Sequence, residues 1–344
     1  MANTADCTTS DCSRVFLAYE PSLAGNAVLL AFFVLLIPIS LFLGIRYRSL
    51  VFATAVATGL ALEVMGYIGR VLLHSSPNSR GDFIVFLLGT TLGPTCICGA
   101  MFLVMPRIVA VYGEEFRSWR PVWYLFLFYA LTIISLVLEL TGAIVSTVQD
   151  DDDLVNTGIR ILVVGLVVQI VALGIFVAHA VLFAIALRTR RHVLDPKYSY
   201  VYKNVFFKIF MVVFSVATVL LTLRTAYRIV EVAEGFESSI AQDETLFLVL
   251  DGTMVLIAAV LLLAFFPARA FGQSWSQTSA RRLSQVHPQP LRPAPAYVPS
   301  SARPSPTYNR MSMKSNVTSS SPRKSQHQSP PTQQKNMVDS DALW

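Results

Sequence analysis

The sequence predicts an all-α polytopic membrane protein, a bundle of seven transmembrane helices, and three observations carry this prediction. Of its 344 residues, 54% are hydrophobic and only 14% are charged, whereas soluble domains carry about a quarter charged residues. Seven segments reach the roughly 20 mostly apolar residues that a membrane-spanning helix requires. Lysine and arginine collect in alternate connections between these segments, as the positive-inside rule describes for cytoplasmic loops.

The seven predicted spans follow one another along the first 267 residues. The fourth and fifth are long enough to tilt or to extend beyond the bilayer. Lys208 falls in the first turn of the sixth, so its ammonium must reach toward the interface. Residues 1–21 lack the basic start and apolar core of a signal peptide, so we expect the first span to act as its own insertion signal. The predicted spans are 23–45, 50–73, 83–105, 122–148, 159–187, 204–224 and 245–267.

The distribution of basic residues predicts an N-terminus outside and a C-terminus in the cytoplasm. Acidic residues cluster on the outer side, as DDDD at 150–153 and EVAEGFE at 231–237. Most of the 27 lysines and arginines face inside in this orientation. The basic residues left outside are Arg14, Arg70, Arg80, Arg160, Arg224 and Arg228.

Three regions follow: an extracellular N-terminus (1–21), a seven-helix membrane domain (22–270) and a disordered cytoplasmic tail (271–344). The tail is rich in Ser, Pro, Gln and Arg and cannot bury a core. It is either a solvated segment or a site for phosphorylation, membrane contact or a cytoplasmic partner. Because the net charge of +6 resides mostly in loops and tail, no nucleic-acid partner is expected. Cys7 and Cys12 are either disulfide-bonded or free.

Three acids lie inside predicted spans: Glu63, Glu139 and Asp251. An ionisable group in lipid is costly and usually marks a functional site. In the predicted orientation all three fall in the outer half of the membrane. They are the candidate substrate-binding carboxylates, facing a cationic amine or carrying a proton.

Four outer arginines stand at predicted helix ends, where the positive-inside rule disfavours them, so we expect them to have acidic partners. Glu63 and Arg70 are separated by about 10.5 Å along one helix, so each must pair with another helix. The charges are either a structural ion-pair network or the lining of a polar cavity open to the outer side. The candidate supporting residues are Arg70, Arg160, Arg224, Arg228 and Glu231.

Small residues near these charges predict close helix packing. Gly66 and Gly69 flank Tyr67, while Gly89, Gly93 and Pro94 interrupt the third span. Gln169, four residues after Gly165, is either an interhelical hydrogen-bonding group or a ligand contact. We include Tyr67 and Gln169 among the candidate substrate-binding residues.

Several classes of membrane protein are disfavoured. A retinal protein needs a lysine in its last span, and 245–267 has none. His179 is the one histidine within a predicted span, and a lone histidine cannot hold zinc. No phosphate-binding glycine loop and no nucleophile–base pair is evident. The sequence therefore predicts a non-enzyme without metal or cofactor.

The ordered set of motifs resembles the fungal lipid-translocating exporter family, which is linked to aminocholesterol and sphingoid long-chain-base resistance. The resemblance covers about residues 19–270. The fourth span departs from it, with Thr132 and Glu139 where the family tends to carry Asp and Gln. The matching segments are YEPSLAGNA (19–27), RYRS (46–49), EVMGYIGR (63–70), LGPTCICGAMFLVMPRIV (92–109), GLVVQ (165–169), RTAYRIVE (224–231) and the Glu244–Asp251 spacing.

The resemblance implies a protein that moves, exports or resists amphipathic lipids, chiefly sphingoid bases, at a fungal membrane. It implies membrane lipids as partners and the plasma membrane as location. A transporter or flippase is the first hypothesis. A seven-helix lipid or stress receptor without transport is the second, and a regulatory membrane subunit with purely structural charges is the third.

Overall fold

Long apolar runs become helices here because lipid offers no hydrogen bonds to a backbone, which must then satisfy its own polar groups. The computed structural model describes residues 21–76, 79–112, 121–148, 151–189, 198–235 and 238–278, and this part contains helices and no strand. A π-helical segment, Phe247–Thr253, lies between α9 and α10. The helices are α1 (Leu23–Arg46), α2 (Leu50–Ser75), α3 (Arg80–Phe102), α4 (Met105–Tyr112), α5 (Pro121–Val148), α6 (Asp152–Thr189), α7 (Ser199–Tyr202), α8 (Val205–Ala233), α9 (Glu244–Leu246), α10 (Met254–Ala264), α11 (Pro267–Phe271) and α12 (Ser274–Gln277).

Seven of the described helical segments are long and apolar enough to cross a membrane, which confirms the predicted all-α, seven-span fold. The protein is a multi-pass membrane protein. In chain order the spans are α1, α2, α3 with α4, α5, α6, α8, and the seventh from α9 to α11; we refer to them by ordinal number.

The predicted end of the sixth span at 224 is wrong, because α8 continues to Ala233. Arg224, Arg228 and Glu231 signal a membrane boundary when read from sequence alone. In the structure they are buried and paired, so the helix runs past them. Likewise, the fifth span begins at Asp152 rather than 159.

The third span is central, since it contacts the second, fourth, fifth and sixth spans. The first span packs on the second and seventh, and the sixth packs on the fifth and seventh. Glu244 joins the two ends of this arrangement: its carboxylate accepts hydrogen bonds from the Ser22 backbone N–H (2.6 Å) and from the Asn26 side chain (3.3 Å).

Glycines allow the second and third spans to approach closely, as their sequence predicts. A Cβ atom at Gly89 would collide with the backbone of Gly66. One turn further on, a Cβ at Gly59 would lie 2.7 Å from the Gly93 carbonyl oxygen. This contact brings Glu63 of the second span directly against the third.

The folded part extends beyond residue 270, where the sequence analysis places the start of the tail. α12 follows α11, and Trp275 is buried against Phe271, with ring centroids 5.5 Å apart. Residues 271–278 therefore pack on the membrane domain. The rest of the tail, and both Cys7 and Cys12, lie outside the described residues.

Candidate functional site

A cluster of charged side chains is buried inside the bundle. Each of its members is no more than 7% exposed. Charges in such surroundings are rare and costly, so they need partners or a function. The described residues place four acids and three arginines in this buried charge cluster: Glu63, Glu139, Glu231, Asp251, Arg70, Arg224 and Arg228.

Arg224 links the sixth span to both the seventh and the third. Its Nε lies 2.5 Å from Asp251 Oδ1, with both side chains 1% exposed. Its Nη2 also donates to the Thr90 backbone carbonyl. In an α-helix that carbonyl would accept the N–H of residue 94, but Pro94 has no N–H. The proline of the third span thus frees the acceptor that Arg224 uses.

Arg228, one turn later on the sixth span, also contacts an acid and the third span, but all its hydrogen-bond acceptors are side-chain oxygens. Its Nη1 donates to both oxygens of Glu231, at 3.0 and 2.9 Å. Its Nη2 donates to the hydroxyls of Thr90 (3.1 Å) and Thr91 (3.3 Å). The two arginines therefore hold the sixth span against the third on either side of the carbonyl that Pro94 releases.

The carboxylate of Glu139 accepts hydrogen bonds from two hydroxyl groups. Thr95 lies 3.0 Å from its Oε2, and Ser135 donates to its Oε1 at 2.8 Å. The Ser135 hydroxyl has a single hydrogen, and the Gly165 carbonyl lies at the same 2.8 Å distance. The Ser135 hydroxyl can therefore donate a hydrogen bond to Glu139 or to the Gly165 carbonyl, but not to both at once.

Glu63 differs from the other three acids. Neither carboxylate oxygen has a hydrogen-bond partner, and Glu63 forms no ion pair among the described residues. Asp251, Arg224 and Arg228 lie within electrostatic range of it. Gly93 makes room for its side chain, since a Cβ there would lie 3.0 Å from Oε1. Glu63 is thus a buried carboxylate, packed closely against Gly93 of the third span, with an unused capacity to accept hydrogen bonds.

Aromatic groups border Glu63 on the side of the seventh span. The Arg70 guanidinium lies 3.8 Å from the centre of the Phe247 ring, close enough for a cation–π interaction. The Tyr67 ring stacks on Phe33 at 5.4 Å. The Tyr67 hydroxyl, which packs against Gly252, has no hydrogen-bond partner in the described part of the chain.

The π-helical segment sets the position of Asp251 and Gly252. The Thr253 hydroxyl donates to the carbonyl of Leu248, five residues earlier, at 2.8 Å. Such π-helical turns within α-helices are frequently found at functional sites. Here the widened turn carries the ion-pair partner of Arg224 and the glycine that accommodates Tyr67.

Most of the predicted site residues come together, and three of them, Glu139, Gln169 and Arg160, stand apart from this region. Glu63, Asp251, Tyr67 and the arginines at 70, 224 and 228 form one region. Glu139 stands on the other side of Thr95, although Arg224 is also within electrostatic range of it. Gln169 is buried beside Cys98, and its amide makes no hydrogen bond of normal geometry among the described residues.

Arg160 is the one candidate supporting arginine that does not belong to the buried charge cluster. Its side chain is exposed on the fifth span rather than buried with the acids, so it does not support the cluster. Conversely, the sequence does not identify the hydroxyl-bearing residues that contact the cluster, which are Thr90, Thr91, Thr95 and Ser135. Pro94 is the one sequence signal that points to them, because it predicts an unsatisfied carbonyl at position 90.

An apolar cleft of about 330 Å³ lies between the third, fifth and sixth spans. Phe176, Ala180 and Phe214 line it, and Thr218 stands at one end. Thr218 precedes Arg224 by six residues, which is about 9 Å along the helix. The cleft therefore begins within about 9 Å, along the sixth span, of the cluster.

These features define a class: a seven-span membrane protein with buried, partly unsatisfied charges in its centre. The family model described as "RTA1 like protein" matches residues 56–274. The chain belongs to this family, which confirms the resemblance found in the sequence. Among the described residues, no three His, Cys, Asp or Glu side chains are placed to hold a metal ion.

Three relatives from the yeast Saccharomyces cerevisiae carry descriptive names. The sphingoid long-chain base transporter RSB1 of Saccharomyces cerevisiae (strain Lalvin EC1118) is 28% identical over 250 residues, covering 64% of this chain and 65% of that protein. Protein RTM1 of the same species is 24% identical, covering 60% and 64%. Protoporphyrin uptake protein 1 is 23% identical, covering 62% and 67%.

The chain spans slightly less than two thirds of the length of the first two relatives, 65% and 64%, and 67% of the third. Two of the three are named for transport or uptake, and neither of those names describes an enzyme. No solved structure matches the chain.

Proposed function

We propose that this protein is a transporter of amphipathic lipids with a cationic head group, of the sphingoid long-chain base class. The observation that carries the proposal is Glu63, a fully buried carboxylate that packs against Gly93 and has no hydrogen-bond or ion-pair partner among the described residues. A primary ammonium has three hydrogen-bond donors and no acceptor. It supplies what Glu63 lacks.

The charge balance of the cluster supports the same ligand. With all side chains ionised, four acids face three arginines, which leaves one negative charge in excess. An uncompensated buried charge is strongly unfavourable. A bound ammonium balances the cluster, and a proton on Glu63 balances it when the site is empty. An exchange of the two would couple lipid movement to proton movement.

The apolar cleft supports an amphipathic substrate. Its walls are almost entirely apolar, and it begins near Arg224 and follows the fifth and sixth spans toward Leu187. In this proposal the amine binds at Glu63 and Tyr67, while the alkyl chain lies along the cleft. In the same proposal, Glu139 and Gln169 are further contacts for the substrate. The buried arginines hold the surrounding helices together.

The names of the relatives support transport at family level, and one of them names a sphingoid long-chain base. The specific substrate, a location in the plasma membrane and an N-terminus outside belong to this proposal. The last of these rests on the distribution of lysine and arginine.

Liposomes containing the purified full chain and a fluorescent sphingoid base test the proposal. We expect flux in the wild type and a decrease of at least tenfold for Glu63→Gln, because glutamine keeps the shape but not the charge. Glu63 makes no hydrogen bond that glutamine would break, so unfolding temperature should be unchanged. Glu234→Gln, an exposed site on the same membrane domain, is the matched control and should retain full flux.

A neutral N-acylated analogue of the same chain length provides the chemical control, since it lacks the ammonium and should not be moved. Equal flux in folded Glu63→Gln and wild type would contradict the role of Glu63. An absence of wild-type flux, with and without a proton gradient, would overturn the transporter and favour a receptor or regulatory subunit.

A further inference from the structure

A polar cleft, separate from the apolar one, lies at the end of the bundle where the chain turns from the first span into the second. It encloses about 150 Å³ and is bordered by the start of the second span, the break in the third and the short helix α12. Its polar lining consists of Arg48, Ser49 and Arg107, with Trp275 on one side. It is remote from the buried acids.

The positive charge of this cleft has no acidic counterpart in the described structure. The described acids lie either inside the bundle or at its opposite end, on the segments 82, 151–153, 234 and 243–244. The Arg107 guanidinium packs 3.6 Å from the centre of the Trp275 ring and donates one hydrogen bond to the Trp275 carbonyl, at 2.8 Å. That bond uses one of its five donors. The guanidinium is thus held at the cleft with donors to spare.

Ser49 supplies a buried hydroxyl without a partner. Ser49 is 4% exposed, and its Oγ makes no hydrogen bond within the described residues. It occupies the N-cap position of α2 without capping the helix through its side chain. A buried, unsatisfied hydroxyl is unfavourable, so this group is one that a ligand would satisfy.

The cleft also contains the N-terminus of a 26-residue helix. Leu50, Val51 and Phe52 form the first turn of α2 and line the cleft. The N–H groups of a first turn have no partner within the helix, and the helix dipole makes this end favourable for an anion. Two arginines, a free hydroxyl and a helix N-terminus thus converge on one small space.

The connecting turn is shaped to place these groups. Arg48 adopts φ +52, a left-handed conformation that is uncommon for a residue other than glycine. The turn is held closed by a hydrogen bond from the Ser49 N–H to the Gly44 carbonyl, at 2.9 Å. This backbone brings Arg48 and Ser49 together at the first turn of α2.

We propose that this cleft binds the phosphate of an anionic membrane phospholipid. The chemistry of the lining is that of a phosphate site, with guanidinium, hydroxyl and helix N–H donors and no carboxylate among the described residues. Its position at a membrane end makes a lipid head group the source. Under the positive-inside orientation this is the cytoplasmic leaflet, where anionic lipids reside.

Nanodiscs containing the purified full chain test this site independently of transport. Thermal unfolding is measured in phosphatidylcholine alone and with added phosphatidic acid, and retained lipid is counted by native mass spectrometry. We expect phosphatidic acid to raise the unfolding temperature of the wild type. The variant Arg48→Asn/Ser49→Ala should lose most of this rise and bind phosphatidic acid at least tenfold more weakly.

Asparagine tolerates the left-handed conformation of position 48, so the variant should match the wild type in phosphatidylcholine alone. Ser49→Ala by itself serves if the double variant does not fold. Arg188→Asn removes an exposed charge at the same end of the bundle and should keep the full rise. An equal rise in the cleft variant and the wild type would overturn the proposal. So would the same rise with inorganic phosphate in phosphatidylcholine nanodiscs, because the ligand would then be a soluble anion.

Discussion

A single proline of the third span creates a hydrogen-bond acceptor for a buried arginine of the sixth span. Pro94 cannot donate to the Thr90 carbonyl, and Arg224 donates to it instead. The same guanidinium pairs with Asp251 of the seventh span at 2.5 Å. One missing N–H thus creates a place for a buried arginine, and that arginine fixes an acid on a third helix.

At this scale, breaking the Arg224–Asp251 pair should be strongly destabilising. Asp251→Asn leaves Arg224 buried without its counter-charge, and we expect a loss of about 3–5 kcal/mol in the free energy of unfolding. Arg224→Gln should cost a similar amount, and the double variant less than the sum. Unfolding in bicelles, analysed as a double-mutant cycle, measures this. Strictly additive losses would contradict a direct pair.

Helix contact in this bundle depends on where glycines face another backbone. Gly89 meets the backbone of Gly66, whereas Gly174 in the fifth span has no atom within 4 Å of where its Cβ would lie. The same residue type thus has a packing role at position 89 and none at position 174.

At the scale of the element, Gly89→Ala should separate the second and third spans. We expect destabilisation of about 1–3 kcal/mol, since an added methyl group would overlap backbone atoms. Gly174→Ala is the matched control and should be neutral or stabilising by up to about 1 kcal/mol, because alanine is the better helix former. Unfolding midpoints of both variants under identical conditions decide the matter. Equal midpoints would show that the close contact between the two spans does not contribute to stability.

The bundle as a whole contains an apolar cleft that begins about 9 Å, along the sixth span, from Arg224 of the buried charge cluster. Ala180 lines the cleft, while Ala178, two residues earlier on the same helix, is exposed outside it. This pair allows the cleft to be tested separately from the charges.

At the scale of the molecule, Ala180→Phe should fill part of the cleft and reduce flux of a long-chain sphingoid base severalfold. A short-chain amine should be affected less, because it needs the cluster but little of the cleft. Ala178→Phe adds the same ring facing outward and should leave flux unchanged. Liposome flux with both chain lengths makes the comparison, and a similar loss in both variants would remove the cleft from the route.

The sequence by itself determined the fold class, the number of spans, the family and most members of the buried charge cluster. It could do so because lipid forces long apolar helices and because a charge within an apolar run is conspicuous wherever the helix lies. Glycines and Pro94 likewise indicated close packing along the chain.

Only the tertiary structure decided which charges meet. Arg160 and Arg224 look alike in the sequence, yet one is exposed and the other pairs with Asp251. The sequence predicts the end of the sixth span at 224 instead of Ala233 for the same reason. A charge that is paired inside the bundle does not mark a membrane boundary. Pairing depends on the rotation and contact of helices distant in sequence, and the pattern of a single helix does not contain that information.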